Sequence, residues 1–165
     1  TETEKIMRTL RTGESKTIEF KQTLSMDVKT GKKEKIIEKA ILKTLDAFLN
    51  TNGGILLVGV SDNKKITGIQ GEIKKYYKND DKFLLHFKNL VKTKIGESFY
   101  PLINYRLVDV EKCKILRIDC KPSDEPCFFE AKEFYVRTNP ATDKLEGPKM
   151  VDYIQRHFKF LGVNK

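Results

Sequence analysis

The stretch that decides the fold is residues 49–62, Leu-Asn-Thr-Asn-Gly-Gly-Ile-Leu-Leu-Val-Gly-Val-Ser-Asp. It starts at the end of a helical pattern and passes through the helix breaker Asn52-Gly53-Gly54. The apolar run over 55–60 is typical of a strand buried on both faces, at the centre of a sheet. The sequence therefore predicts a central strand, with Asp62 at the point where that strand reaches the surface.

The segments around this strand alternate between helical and extended patterns. Residues 34–49 carry apolar side chains at helical spacing, and residues 17–21 alternate between apolar and charged ones as a half-buried strand does. Residues 22–33 are polar and lysine-rich and predict a mobile loop. The other predicted elements are helices over 2–10 and 81–95, a closing helix from 147 with Met150, Val151, Ile154, Phe158 and Leu161 on its apolar face, a return strand over 66–69, strands over 101–110 and 114–120, and short strands over 128–129 and 134–137. This pattern predicts a single α+β domain over residues 1–165, with a mixed β-sheet and packed helices.

Composition places the chain among ordinary folded domains with a heavily charged surface. Of its 165 residues, 39% are hydrophobic and 33% are charged, which supplies enough apolar material for one core. No apolar run approaches the ~20 residues needed to cross a bilayer, so no membrane partner is expected. Residues 1–16 lack the apolar segment of a secretory signal, and the expected location is cytoplasmic.

The net charge favours a polyanionic partner. Lysine and arginine together number 32 against 23 acidic residues, which gives +9, and the excess is mostly lysine. This balance indicates nucleic acid before membrane, because no basic amphipathic helix with an aromatic face is evident.

The cysteines do not indicate a metal site. Cys113, Cys120 and Cys127 are evenly spaced and contain no Cys-x-x-Cys pair. A structural zinc site needs two ligands close together on one turn. The sequence therefore predicts three buried or half-buried thiols in strands and no zinc.

Acidic residues stand close to the ends of two predicted strands. Glu14 precedes the first strand, Glu19 lies within it, and Asp62 follows the central strand. If these strands are neighbours, the carboxylates meet at one rim of the sheet, where an oxygen-only cluster suits Mg²⁺ or Mn²⁺. Such a metal activates water and neutralises phosphate charge. Lys21 shares the strand face of Glu19 and is a candidate for stabilising a transition state. From spacing alone, Asp62 is equally a good turn residue.

Motifs over most of the chain match one known pattern. They are Glu14-Ser15 with Glu19-Phe20-Lys21, then Asn50-Thr51 with Gly53-Gly54, then Gly59-Val60 with Asp62, and finally Tyr135-Val136-Arg137. In order and spacing they resemble the Schlafen family's core, and more closely the Alba-type DNA-binding domain that Schlafens share with many prokaryotic proteins. The resemblance implies a Schlafen-core-like lobe that binds nucleic acid.

The resemblance also implies an activity. In catalytic Schlafens the two glutamates and the aspartate of these motifs form a metal-dependent endoribonuclease site that acts on tRNA and rRNA. Glu14, Glu19 and Asp62 are then expected to hold Mg²⁺ or Mn²⁺ and to cut RNA, with tRNA favoured over other RNA or DNA. The eukaryotic core has two such lobes and this chain has one, so a homodimer is expected.

Two other functions stay open. The alternative is a non-catalytic DNA- or RNA-binding transcriptional regulator, which uses the same basic surface without cutting. A nucleotide-binding protein is a distant third, because residues 30–33 lack the upstream glycine and the final Ser/Thr of a phosphate loop.

Nucleic-acid contacts are predicted mainly from lysines, which bind phosphates as point charges and do not read sequence. The adjacent tyrosines are candidates either for stacking on unpaired bases or for packing at a helix edge. Arg137 is a candidate either for a contact with the phosphate backbone or for an ion pair with an acid. The predicted set is Lys29, Lys32, Lys33, Lys35, Lys64, Lys65, Lys74, Lys75, Tyr76, Tyr77, Lys78 and Arg137.

Overall fold

The structure, a computed structural model, describes residues 1–158. Within them, helices and strands follow one another in the α+β arrangement that the sequence predicts. In chain order the elements are α1 (Glu2–Thr12), β1 (Ile18–Lys21), α2 (Lys35–Leu49), β2 (Gly54–Val58), α3 (Gln70–Glu72), a π-helix (Ile73–Tyr77), α4 (Asp80–Lys94), a 3-10 helix (Glu97–Leu102), β3 (Ile103–Val110), β4 (Cys113–Cys120), β5 (Phe134–Arg137), β6 (Thr142–Leu145) and α5 (Gly147–His157).

Strand β2 lies inside the main sheet, as its apolar run predicts. Among the described residues this sheet has four strands in the order β1-β2-β4-β3. β1 runs parallel to β2, with Ile18 opposite Ile55 and Lys21 opposite Val58. β4 runs antiparallel to both β2 and β3. The sheet is therefore mixed, with β1 and β3 at its edges.

Both faces of the central strand are covered by helices. On one face, Leu56 and Val58 belong to a core that also contains the apolar residues of α2 and α4. On the other face, Leu57 packs with Ile6 and Leu10 of α1. Because successive residues of a strand point to opposite faces, a strand covered on both sides is apolar at consecutive positions.

The two glycines ahead of β2 let the strand approach its neighbours closely. Gly53 has a φ of 74°, in the left-handed region that glycine adopts without strain. A Cβ atom on Gly54 would lie 2.6 Å from Cε1 of Phe48 and 2.7 Å from the carbonyl oxygen of Thr17. The Asn-Gly-Gly segment therefore stops α2 and allows a tight entry into the sheet.

The β5–β6 hairpin is fixed to the end of α2 by buried polar side chains. Nδ2 of Asn50 donates to the carbonyl oxygens of Cys127 and Tyr135 at 2.8 and 3.0 Å. Oδ2 of Asp46 accepts from the Tyr135 amide at 3.0 Å. These bonds hold β5 against α2 and bring Arg137, the last residue of β5, beside β1.

The segment after the central strand differs from its prediction. Residues 66–69 are predicted to form a return strand, but Ile66 makes only an isolated bridge with Val60. Gly68 has a φ of 76°, which ends the extended conformation, and the chain turns into α3. The predicted hairpin is therefore a loop.

Further differences lie towards the end of the chain. Phe129 makes an isolated bridge with Glu133 instead of a strand, whereas β6, which the sequence pattern misses, pairs with β5. On α5, Ile154 packs in an apolar cluster, but Val151 is 50% exposed and does not belong to the buried face. Leu161, which the sequence also places on this apolar face, lies outside the described residues.

Candidate functional site

The acidic pair Glu14 and Glu19 lies at an edge of the main sheet. Oε2 of Glu14 accepts a hydrogen bond of 3.0 Å from the Phe20 amide, because the outward amides of an edge strand are open to side chains. This bond turns the Glu14 carboxyl group back along β1, close enough to Glu19 to raise the pKa of its carboxyl group. The structure therefore brings together two of the three acids that the sequence singles out.

Glu19 is partly buried and has cations on either side. Its Oε1 accepts a hydrogen bond of 2.8 Å from Nη1 of Arg137, and its Oε2 lies 3.9 Å from Nζ of Lys21. Burial, followed by the neighbouring Glu14 carboxyl group, raises the pKa of Glu19 against the lowering effect of the two cations. A carboxylate with a raised pKa is a better proton acceptor than an ordinary glutamate.

Arg137 lies in the interior, so its predicted place on a nucleic-acid surface is corrected. Its side chain is 1% exposed. Besides Glu19, its guanidinium donates to the carbonyl oxygens of Ser15 and Lys16, at 2.6 and 3.2 Å, and to Oγ1 of Thr142 at 3.0 Å. A buried guanidinium must find such partners. Of the two roles that the sequence leaves open, the ion pair with an acid is the one that Arg137 has.

Asp62 lies on a different segment from the acidic pair. It is exposed, on a turn over residues 61–65 that is closed by a 2.9 Å hydrogen bond from the Ser61 amide to the carbonyl oxygen of Lys65. One lysine of this turn reaches the residue before Glu14, since a Cβ atom on Gly13 would lie 3.2 Å from Nζ of Lys64. Within residues 1–158, no group of three or more His, Cys, Asp or Glu side chains is placed to hold a metal ion.

In the described arrangement the three acids are therefore not gathered into one ligand set for Mg²⁺ or Mn²⁺. Glu14 already accepts from a backbone amide, Glu19 is paired with a buried arginine, and Asp62 lies on a separate turn. The metal site stays a prediction. The geometry itself supplies two adjacent carboxyl groups with a lysine beside them.

A lysine-rich loop over residues 27–35 meets the π-helix to form one basic surface. The carbonyl oxygen of Gly31 accepts hydrogen bonds from Nζ of Lys75 at 3.0 Å and from the hydroxyl of Tyr76. Nζ of Lys33 lies 4.7 Å from the centre of the Tyr77 ring. We call this the basic surface; its exposed lysines are Lys29, Lys32, Lys33, Lys35, Lys74, Lys75 and Lys78.

The loop itself is ordered, although its composition predicts mobility. Oδ1 of Asp27 accepts from the amides of Lys29 and Thr30 at 2.8 and 3.0 Å. The carbonyl oxygen of Asp27 accepts from the Gly31 amide at 2.8 Å. These bonds close a tight turn, and the lysines are held on it in a defined arrangement.

The two tyrosines of the predicted set differ in exposure. Tyr77 is 7% exposed and packs edge-on against Phe83, with 5.3 Å between the ring centres. Tyr76 is half-buried, and Nζ of Lys75 lies 5.2 Å from its ring centre. For Tyr77 the structure shows the packing role, which corrects the prediction of base stacking.

Lys64 and Lys65 lie away from the basic surface. They line a shallow pocket with Met7 and Leu10 of α1, and Lys64 reaches Gly13, next to Glu14. Lys64 therefore lies near the segment that carries Glu14.

Sequence reasoning misses Glu72, the acid beneath the basic surface. Glu72 is 2% exposed, and its carboxylate accepts the amides of Leu24 and Ser25 at 3.0 and 2.7 Å. One signal was available: Glu72 is the only acid in the lysine-rich stretch 71–78. A carboxylate buried in this way requires hydrogen-bond donors such as these backbone amides.

Taken together, the mixed sheet, the lysine loop and the edge-strand carboxyl pair define a small basic α+β domain with a lysine-rich surface. Residues 14–146 match the family described as Schlafen, AlbA_2, and the chain belongs to that family. Membership of this family indicates nucleic-acid binding.

Solved structures share the fold. The DIP2311 protein from Corynebacterium diphtheriae matches with a TM-score of 0.59 and 15% identity, over 95% of this chain and 33% of that one. This chain thus spans about a third of that protein's length. The N-terminal domain of an ATP-dependent DNA helicase RecG-related protein from Nitrosomonas europaea matches with a TM-score of 0.56 and 19% identity, over 88% of this chain and 95% of that domain. Such identities show likeness of fold alone.

No curated protein matches the sequence. Among residues 1–158, the helices are all too short or too polar to span a bilayer.

Proposed function

We propose that this chain binds the sugar–phosphate backbone of RNA, with DNA as the second choice, at the basic surface. One observation carries the proposal: the Gly31 carbonyl oxygen joins the lysine loop to the π-helix through Lys75 and Tyr76. Two lysine-rich segments that are separate in sequence thereby form one positive surface. Resemblance to catalytic Schlafens makes tRNA the favoured ligand.

Binding at such a surface is electrostatic. Lysines contact phosphates without reading bases, and the covered ring of Tyr77 leaves little stacking on unpaired bases. Affinity is therefore expected to fall steeply with salt and to depend little on sequence.

The test is fluorescence anisotropy with labelled tRNA and with a labelled DNA duplex, at increasing salt concentrations. The expected result is a linear fall of log affinity with log salt, with a slope of several units. A shallow slope, or strong preference for one short sequence, would contradict the proposal.

A second candidate function is cleavage of RNA at the acidic pair. It is favoured by the adjacency of Glu14 and Glu19 at an open sheet edge, with Lys21 beside them. Glu19, with its raised pKa, is suited to accept a proton. Lys21 is placed to offset the charge of a phosphodiester. The resemblance adds the expected requirement for Mg²⁺ or Mn²⁺, with Asp62 as the third acid.

Cleavage is tested by incubating the protein with total tRNA and Mg²⁺ or Mn²⁺, beside controls with EDTA. The nuclease proposal expects discrete fragments that disappear with EDTA. If tRNA stays intact with either metal, that proposal fails and nucleic-acid binding stands by itself.

We also propose that two chains associate. The related eukaryotic core uses two lobes to form its groove, and a two-fold pair of single lobes rebuilds that arrangement. Light scattering at micromolar concentration is expected to report the mass of a dimer. A monomer that still binds RNA would refute pairing.

A further inference from the structure

A network of buried polar groups lies beneath the basic surface and is separate from the acidic pair. Oε1 of Glu72 accepts the Leu24 amide at 3.0 Å, and Oε2 accepts the Ser25 amide at 2.7 Å and its hydroxyl at 3.0 Å. The Tyr77 hydroxyl lies 2.6 Å from Oγ of Ser25 and 3.4 Å from Oε2 of Glu38. Every side chain in this network therefore has a polar partner.

The network of polar groups continues into α4 and connects four segments of the protein. Oε2 of Glu38 lies 2.7 Å from Nε2 of His86, and the Tyr77 and His86 rings are 4.8 Å apart at their centres. The base of the lysine loop, α3 with the π-helix, α2 and α4 are thus joined by side-chain contacts. The loop is attached to the body of the domain at its base as well as at Gly31.

Glu72 is an unusual residue for this position. A carboxylate that is 2% exposed is costly to bury unless its oxygens accept hydrogen bonds. All three of its donors belong to two consecutive residues, Leu24 and Ser25, immediately before the lysine loop. The hydrogen bonds of Glu72 therefore hold the segment that leads into the lysine loop.

The π-helix explains how neighbouring tyrosines both reach this loop. A π-helical turn contains more residues than an α-helical turn and often occurs at functional sites. Here the Tyr76 hydroxyl bonds to the carbonyl oxygen of Gly31 at the tip of the loop, while the Tyr77 hydroxyl contacts Ser25 at its base. The loop is consequently held both at its tip and at its base.

We propose that Glu72 is a positioning residue for nucleic-acid binding: it fixes the base of the lysine loop, with Tyr77 as second anchor, so that the basic surface is preformed. The proposal rests on the proposed function and deepens it, because a preformed loop loses no further conformational entropy when phosphates bind. Glu72 touches no ligand and acts through the loop.

The test uses Glu72→Gln. In this variant the loss of a negative charge and the loss of loop positioning are expected to change the affinity for nucleic acid in opposite directions. Removing a negative charge near a phosphate-binding surface tightens binding if long-range electrostatics is the only effect. Loosening the loop weakens binding and lowers the salt slope, because fewer lysines reach phosphates together. We expect affinity for labelled tRNA to fall about ten-fold at low salt, with a shallower slope. The charge-matched control is Asp81→Asn, an exposed acid on α4, which is expected to bind as well as the wild type or slightly better.

Hydrogen exchange of the Leu24 and Ser25 amides supplies a direct readout, and it is expected to accelerate in Glu72→Gln. If Glu72→Gln binds like Asp81→Asn with the wild-type slope, the proposal is overturned. If Glu72→Gln fails to fold, Tyr77→Phe decides: weaker binding by the folded variant supports the proposal, and wild-type binding refutes it. Failure of the wild type to bind any nucleic acid would instead refute the proposed function, while the exchange measurement would still report whether Glu72 holds the loop.

Discussion

Nη1 of Arg137 donates a hydrogen bond of 2.8 Å to Oε1 of Glu19, across a sequence separation of 118 residues. The bond joins the end of β5 to the edge strand of the main sheet. Because the same guanidinium also holds the carbonyl oxygens of Ser15 and Lys16, it positions both the turn that follows Glu14 and the carboxylate of Glu19. The acidic pair therefore depends on the hairpin packed against α2.

Replacing Arg137 by Met is expected to destabilise the protein by about 3 kcal/mol, since breaking a buried ion pair leaves the other charge uncompensated. It is also expected to raise the pKa of Glu19 further, because Arg137 lowers that pKa in the native protein. Chemical denaturation measures the first effect and an NMR titration of the Glu19 carboxyl carbon the second. Arg156→Met is the control, since the Arg156 side chain is 81% exposed and its loss is expected to change the stability little. Equal unfolding midpoints for the Arg137 and Arg156 variants would contradict the assigned role.

Asp46→Asn is expected to stabilise the protein at neutral pH. Burial raises the pKa of Asp46 well above its ordinary value, so the folded state favours the protonated form. Protonation of Asp46 stabilises the folded state fully at pH values below the unfolded pKa of about 3.9. This stabilisation is lost as the pH rises through the folded pKa. The advantage of the variant should accordingly grow from pH 4 upwards. Denaturation of both proteins between pH 4 and pH 7 checks this, with exposed Asp124→Asn as control; a pH-independent difference would count against it.

Lys32→Gln is expected to weaken binding of tRNA and of duplex DNA to a similar degree. Lys32 is exposed on the ordered loop, and a phosphate contact carries no base information. The slope of log affinity against log salt should decrease in magnitude by about 1. The control is Lys121→Gln, an exposed lysine that lines a pocket with Ile55 and Asn104, outside the basic surface. An unchanged slope for Lys32→Gln would remove the loop from the binding site.

Glu14→Gln, Glu19→Gln and Asp62→Asn are each expected to abolish RNA cleavage while preserving or tightening binding, because each removes a negative charge from a phosphate-facing site. Lys21→Ala should lower the cleavage rate without changing the metal requirement, as loss of a transition-state contact does. A tRNA cleavage assay beside a gel-shift assay measures both effects, with Asp124→Asn as the control. Cleavage by the Asp62 variant at the wild-type rate would restrict the centre to the two glutamates.

The sheet was predictable because its signal is local. The unbroken apolar run before Ser61 reflects burial on both faces of β2, and the alternation around Phe20 reflects an edge strand with one covered face. The proximity of Glu14 and Glu19 also follows from local geometry, since the Glu14 side chain only has to fold back onto the Phe20 amide.

Long-range pairings were not predictable in this way. Nothing local to Arg137 shows that its partners lie before β1, and a charged residue at the end of a short strand is usually exposed. The burial of Tyr77 likewise depends on Ser25 and Glu38. The order of the lysine loop, in contrast, had a local signal in Asp27 and Gly31, a turn acid and a glycine that the charge of the segment obscured.

The closeness of Gly54 to Phe48 has a consequence for recognising related sequences. With 2.6 Å between a hypothetical Cβ atom and the aromatic ring, the glycine is required by the way α2 meets the sheet and would be required whatever the domain does. The close contact of α2 with the sheet does not require Glu14 or Glu19, although Glu19 also compensates the charge of the buried Arg137. A sequence that carries the Asn-Gly-Gly segment but lacks the acids is therefore a relative in architecture only, and a nuclease assignment for it would have no chemical basis.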